Sequence, residues 1–585
     1  MIISSSGAWR RAVQWCLLTF WAVGIHQSQL LLSLQAQAAP KIKVLPTAPS
    51  KPPMIPVGAS STTLNQQLQT VLQQQGFTGT IEQSVPQRLG RPIDFLLFEV
   101  GHQLFFDTVL SLHGDNGCVG CHSPNNGYGD TQPIAIGVDN NFIVGRLRAG
   151  PRNQRRAPGM LNTAMYPKLM WNGRFNAPSG NSFDNSQGYA FPAPEGTTRF
   201  PAYDTSFYHL LVGQAHLPQS DLAEMAGFTG LKTGTYSYAN SNFQVTSSNS
   251  IRYKLQLPFK ITTFTSSDPK RPLVLAKPKL GSTVPDYSIF DNGKGQSLPT
   301  ADSTGTRNEP IRDKILTRLN SIQAYRDAFG AIYPSVAGGG PITQTMVGQA
   351  IAEFEILFTF TDAPLDKFAR GDAAAMTDSQ KRGALLFFGK AKCAQCHTVG
   401  GSSNEMFSDF QFHNLAVPQV APKFGVGTGN VAFRDASGAF STKGNQDCGL
   451  EDVTANSADR YKFRTSPLRN MAVAGWFFHN GAYKRLEDCI AHHLDPITWA
   501  RRYRPALAGL PPDLAFNMGP IEPVIAKIDP LVKTRIFLTP GEFIDLVEFV
   551  RNGLTDDRAR PDFLQQGLPP NGKAMSGDTL PTFTE

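Results

Sequence analysis

Two short stretches of the chain combine residue types and spacing that few chemistries use. They are Cys118-Val119-Gly120-Cys121-His122 and Cys393-Ala394-Gln395-Cys396-His397. C-x-x-C-H is the attachment pattern of a c-type haem. The two thiols add across the haem vinyl groups, and the adjacent histidine ligates the iron. Zinc knuckles and thioredoxin-like redox pairs are the competing readings. A histidine directly behind each cysteine pair, with no βαβ pattern around it, argues against both. The sequence therefore predicts two covalently bound haem c groups. The motifs take four of the 7 cysteines, and Cys16 falls in an apolar leader. For Cys448 and Cys489, one disulfide and two unrelated buried thiols are both open.

The elements that position these motifs read as helices. From Phe95 to Leu112 the apolar residues recur at helical spacing and lead into the first motif. Thr377-Asp378-Ser379-Gln380 is a capping box, opening a helix over Lys381 to Phe388 that delivers the second. Thr539-Pro540-Gly541-Glu542 is another, with proline at the first helical position. Phe543, Leu546, Val547, Val550 and Leu554 then share one face. Helical patterning also covers Leu64 to Gly76, Ile311 to Phe329 and Thr345 to Phe360. Two stretches, about 175–213 and 229–307, are rich in Thr, Ser, Asn and Gly and read as insertions with β-hairpin content. Within the second, Tyr253 to Thr262 alternates as a strand would. The expected fold is mainly α, with two cytochrome c-type haem domains, long loops and a small β-containing insertion.

Residues 1–38 read as a secretory signal peptide, with Arg10 and Arg11, an apolar run from Ala12 to Ile25, and Ala36-Gln37-Ala38 as the cleavage site. This predicts a periplasmic or otherwise exported protein, as extracytoplasmic haem attachment requires. Residues 39–61 read as a Pro-rich linker, 62–368 as the amino-terminal haem domain, 369–558 as the carboxy-terminal haem domain, and 559–585 as a loose tail. At 585 residues and 41% hydrophobic, both domains can bury full cores. A net charge of +8 without a dense Lys/Arg run excludes a nucleic-acid binder. No later stretch is long and apolar enough to span a membrane. A homodimer is left open.

The flanks of the motifs resemble a known family. Leu104-Phe-Phe-Asp107, Leu110-Ser111, Gly127-x-Gly129-Asp130, Pro158-x-x-Leu-Asn162 and Trp171-Asn-Gly-Arg174 stand in the order seen in bacterial dihaem cytochrome c peroxidases and the related MauG enzymes. In the second half, Gly383-x-x-Leu-Phe387, Phe412-His413-Asn414-Leu415, Pro467-Leu-Arg-Asn470, Phe478-His479-Asn480-Gly481 and Leu486-Glu487 also resemble that superfamily. The resemblance implies that hydrogen peroxide reacts at the amino-terminal haem. It implies that a small donor protein, such as a cytochrome c or a cupredoxin, delivers electrons to the carboxy-terminal haem. Trp171 matches the tryptophan of the electron route, and Gln214 and Glu224 match the residues that handle peroxide.

Some positions depart from the family. The loop that commonly supplies a second histidine to the first iron reads Ile136-Gly137-Val138, and no histidine occurs between His122 and Trp171. An open sixth position is expected, with His209 and His216 as distant alternatives. The family's second ligand to the other iron falls on His493, fourteen residues after His479; His492, Met471 and Met518 are the alternatives. A His/His pair lowers the potential relative to His/Met. Arg156 and Ala474 stand where the family's interdomain calcium site has Asn and Thr, which argues against calcium. Three functions remain: a peroxidase, a MauG-like or rubber-oxygenase-like oxidising enzyme with a larger substrate, and a dihaem electron carrier.

Overall fold

The computed structural model of the chain describes residues 61–150, 152–227, 229, 234–238, 241–245, 296–300, 302–304, 306–420, 446–515 and 518–584. The signal peptide expected at 1–38, the linker expected at 39–61 (except Ser61, which opens a helix) and the strand expected at Tyr253 to Thr262 lie outside the described residues. The described chain is mainly helical, as expected, and its strands form four two-stranded sheets.

Nine helices carry the frame: α1 (Ser61–Gln75), α2 (Phe95–Phe106), α3 (Leu210–Gln214), α4 (Asn308–Ser321), α5 (Gln323–Gly330), α6 (Gln344–Leu357), α7 (Asp378–Phe388), α8 (Leu486–Leu494) and α9 (Pro540–Glu548). Each haem motif follows a helix that is crossed by a later one: α2 by α6, and α7 by α9. The two crossings use one device. Gly101 and Gly383 sit at the contact points, where a Cβ would overlap the carbonyls of Ala350 and Asp545. Behind each glycine the sequence runs Leu-Phe-Phe, at 104–106 and 386–388. Of these, Phe105 and Phe387 are fully buried beside the motif histidines. Sequence starts α7 and α9 as expected: Thr377 accepts from Gln380 N and Thr539 from Glu542 N, and each N3 side chain returns the bond. The continuous pattern from Ile311 to Phe329 is interrupted, because Ile322 is extended and separates α4 from α5.

The ends of the chain depart from the expected layout. Residues 62–77 are expected within the amino-terminal domain. Instead Leu64, Leu68, Leu72 and Phe77 pack into the core of the carboxy-terminal domain with Ala384 and Phe387. The tail after 558 is not loose. Ala559, Leu564, Ala574 and Leu580 join a buried cluster with Phe98, Phe105 and Tyr128 of the amino-terminal domain. Its last strand, β8 (Thr582–Phe583), pairs in parallel with β1 (Ile143–Val144). Ser576 donates through N and Oγ to the buried Asp107 carboxylate at 3.0 and 2.9 Å. Isolated apolar residues anchor separate turns here, so no periodicity marks the segment.

The first insertion has little β structure. Its first residues, β3 (Phe175–Asn176), pair with β2 (Lys168–Leu169), which precedes it. Its body is an aromatic layer of Tyr189, Phe191, Phe200 and Phe207 under Ala352 and Ile356 of α6. The second contributes a true hairpin, β4 (Gly234–Tyr238) against β5 (Ser241–Val245). The remaining pair is β6 (Phe412–His413) with β7 (Phe463–Arg464). Cys448 and Cys489 are separate, buried thiols.

Candidate functional site

Each motif opens onto a large cavity. The first is lined by Cys118, Cys121, His122, Gln214, Glu224 and Trp171. The second is lined by Cys393, Cys396, His397, His493 and, again, Trp171. His122 directs Nδ1 to the Tyr128 carbonyl at 3.1 Å, and His397 directs Nδ1 to the Phe407 carbonyl at 2.8 Å. In both rings this bond fixes the tautomer and leaves Nε2 as the metal-binding nitrogen.

The second cavity holds a facing imidazole. His493 on α8 gives Nδ1 to the Cys489 carbonyl at 2.8 Å, and its ring centroid lies 6.3 Å from that of His397. Two imidazoles that meet one metal from opposite sides, with bonds of about 2.0–2.1 Å, place their centroids roughly 6 Å apart. The alternatives are placed differently. His492 is fully buried between the Tyr483 hydroxyl, 3.0 Å from its Nδ1, and the Leu415 carbonyl, 2.8 Å from its Nε2. Met471 lines the cavity; Met518 does not.

In the first cavity, His122 is the one histidine among the described lining residues. His209 is held by the Ala164 carbonyl and by Leu211 N, and His216 by the Val212 carbonyl, both under the aromatic layer. Neither reaches the cavity. Val138, where a loop histidine would stand, is core, and its N–H donates to the Ala223 carbonyl at 3.1 Å. It thereby backs the turn that carries Glu224.

That turn, Leu222–Ala226, is a single π turn capped by Asp221, which accepts from the N–H groups of Ala223 and Glu224 at 2.9 and 3.2 Å. Gln214 ends α3 and faces the same space. Burial and the neighbouring Asp221 charge push the Glu224 carboxyl up to about 8, with Arg174 opposing. A proton carrier near neutral pH is what acid–base chemistry needs.

Trp171 stands between the cavities and lines both, with Nε1 donating to the Arg156 carbonyl at 2.8 Å. Arg156, Tyr166 and Arg464 share this wall. Arg156 donates to the carbonyls of Trp476 and Asp130 at 2.6 and 3.0 Å, so its guanidinium is a fixed cation at the domain boundary. Burial pushes both Arg156 and Arg464 down to about 10. Neither makes an ion pair among the described residues. Buried charges normally find a counter-charge. The carboxylates that a haem carries would supply one here, so the donor set and the wall fit two haem groups.

Sequence reasoning missed Glu355. It projects from α6 into the first cavity and is 8% exposed, with Thr163 Oγ1 donating to it at 3.3 Å. Burial pushes its carboxyl up to about 8. The signal was available: Glu353 and Glu355 interrupt an apolar run at a spacing of two, so they cannot share one solvent face of a helix. Glu353 is satisfied by Arg91 at 2.7 Å. Among the described residues Glu355 has no such ion-pair partner, only the Thr163 hydroxyl. A carboxyl raised in the folded state favours the protonated form, so its contribution is full below the unfolded value and is lost as pH rises. Glu355→Gln cannot ionise. The melting temperature of the wild type should therefore fall relative to that of Glu355→Gln as pH climbs from 4.5 towards 8. A constant difference across that range would mean that Glu355 is ionised in the folded protein.

Comparison with known proteins agrees with this geometry. Residues 97–246 and 292–374 match the family described as di-haem cytochrome c peroxidase. A cytochrome-c peroxidase, IdrP1, from Pseudomonas sp. (strain SCT) is 30% identical over 406 residues, covering 67% of this chain and 70% of that protein. The methylamine utilization protein MauG of Methylophilus methylotrophus is 22% identical over 414 residues, 70% of this chain and 76% of that one. The cytochrome c551 peroxidase of Pseudomonas aeruginosa is 30% identical over 173 residues, 30% of this chain and 43% of that one. With two C-x-x-C-H cavities joined through one tryptophan, the chain is an oxidoreductase that belongs to the di-haem cytochrome c peroxidase family.

Proposed function

We propose that the protein is an exported dihaem peroxidase that reduces hydrogen peroxide to water with electrons from a small redox protein. The observation that carries this reading is Glu224. It is a half-buried carboxyl pushed up to about 8, and with Gln214 it lines the cavity that His122 also lines. Reduction of one peroxide consumes two electrons and two protons and yields two waters. Haem covalently held at Cys118/Cys121 and Cys393/Cys396 would supply the iron and the electron storage. His122 and His397 would hold the two irons, and His493 would complete the second. Glu224 takes the proton from the near peroxide oxygen and returns it to the far one. Gln214 orients the peroxide. Arg156 and Arg464 hold negative charge in the shared wall, and Trp171 bridges the two cavities for electrons entering at the second.

Steady-state peroxide consumption by the holoprotein with reduced cytochromes and cupredoxins tests this reading. Turnover with at least one donor is expected. Peroxide reactivity without turnover by any donor favours oxidation of a larger substrate, as the relative named for methylamine utilization suggests. A low-spin electron paramagnetic resonance signal from the second haem should disappear in His493→Ala. Its persistence would assign the ligand to Met471, which lines the same cavity.

A further inference from the structure

A small side chamber adjoins the first cavity. It offers about 30 Å³ to water-sized molecules, and Glu224 and Gln214 line both spaces. Its outer wall is Arg174, Pro192, Leu217 and Pro218, all half-buried and in touch with solvent. A single water needs roughly 10–15 Å³ of such space. The chamber therefore has room for about two to three water-sized molecules, enough for one hydrogen peroxide and little for a branched carbon group. Its walls mix apolar sides with hydrogen-bonding groups. Pro192, Leu217 and Phe175 are apolar; Gln214, Asp221 and Glu224 line the chamber and the cavity alike, and Arg174 also lines both.

We propose that this chamber is the entry port of the first cavity, and that Leu217 and Pro192 set its size so that hydrogen peroxide enters and organic hydroperoxides do not. The proposal rests on the reading that peroxide reacts in the first cavity. A port governs passage in both directions, whereas a residue that contacts the bound ligand changes affinity. The two are separable by ligand kinetics in the holoprotein.

Stopped-flow cyanide binding to the oxidised holoprotein provides the test. In Leu217→Trp the association and dissociation rates should both fall by about tenfold, a barrier increase of about 1.4 kcal/mol, with the dissociation constant unchanged. In Leu217→Ala, entry of tert-butyl isocyanide into the reduced holoprotein should rise by a similar factor, and this variant stands alone if the tryptophan does not fold. Unchanged rates in both variants, or a changed cyanide dissociation constant with an unchanged association rate, would overturn the port. Paired rate changes in a protein that consumes no peroxide with any donor would uphold the port while removing the peroxidase reading.

Discussion

Glu224→Gln is expected to lower peroxide turnover by about 10²–10⁴-fold, the usual loss when a general acid–base is removed. The amide keeps the size and the hydrogen-bonding capacity of the carboxyl, and the turn is held by the Asp221 cap rather than by the Glu224 side chain. Both haem spectra should therefore stay nearly unchanged. Gln214→Ala should cost less, because that residue orients peroxide without carrying a proton. Taking the first proton requires the carboxylate. The wild-type rate should thus rise with pH towards about 8, and the variant should lose that limb. Wild-type turnover in Glu224→Gln would place the proton transfer elsewhere, and Glu355, a buried carboxyl of the same cavity also pushed up to about 8, is the next candidate.

The second large effect concerns folding. Asp366→Ala should destabilise the protein by about 3–5 kcal/mol, the usual result of removing one partner of a buried ion pair. Asp366 meets Arg469 in a two-pronged bond at 2.8 and 2.9 Å, with both side chains almost wholly buried. The same carboxylate accepts from Ala363 N at 3.0 Å, and Arg469 Nε donates to the Glu405 carbonyl at 2.8 Å. Alanine would leave the buried guanidinium with the more distant Glu405 carboxylate, 3.8 Å away, as its remaining ion-pair partner. That guanidinium also lies 5.6 Å from the Phe407 ring centroid, and the Phe407 carbonyl orients His397. Denaturant titration should show the lower midpoint, and the second haem should become heterogeneous first. A midpoint within 1 kcal/mol of wild type, about the value of a surface pair, would mean that water reaches the arginine.

What the sequence disclosed was local. The capping boxes at Thr377 and Thr539 depend on residues a few positions apart, and each formed as read. The stripe behind Thr539 is buried at Leu546, Val547, Val550 and Leu554, but the α-helix stops at Glu548 and a π turn carries the chain over Phe549–Gly553. The placement of Glu224 and Gln214 on one cavity came through resemblance, since ten positions of irregular chain separate them. His492 and His493 are neighbours on one helix, and no local pattern distinguishes them. Tyr483 and the Leu415 carbonyl do, by occupying both nitrogens of His492. The tail and α1 were misplaced for a related reason. Their anchors are single apolar residues whose partners lie hundreds of positions away.

Those two ends have a consequence for how the molecule is made. A chain that emerges amino-terminus first would ordinarily finish its first domain before its second. Here α1, the first helix among the described residues, finds its partner in α7, some three hundred residues downstream. The first haem domain, in turn, takes Leu564, Leu580 and a parallel strand from the stretch beyond the second. Each half thus completes its core with a segment drawn from the far side of the other. The two halves are interlocked, and neither core can open without releasing a piece of chain that continues into its neighbour.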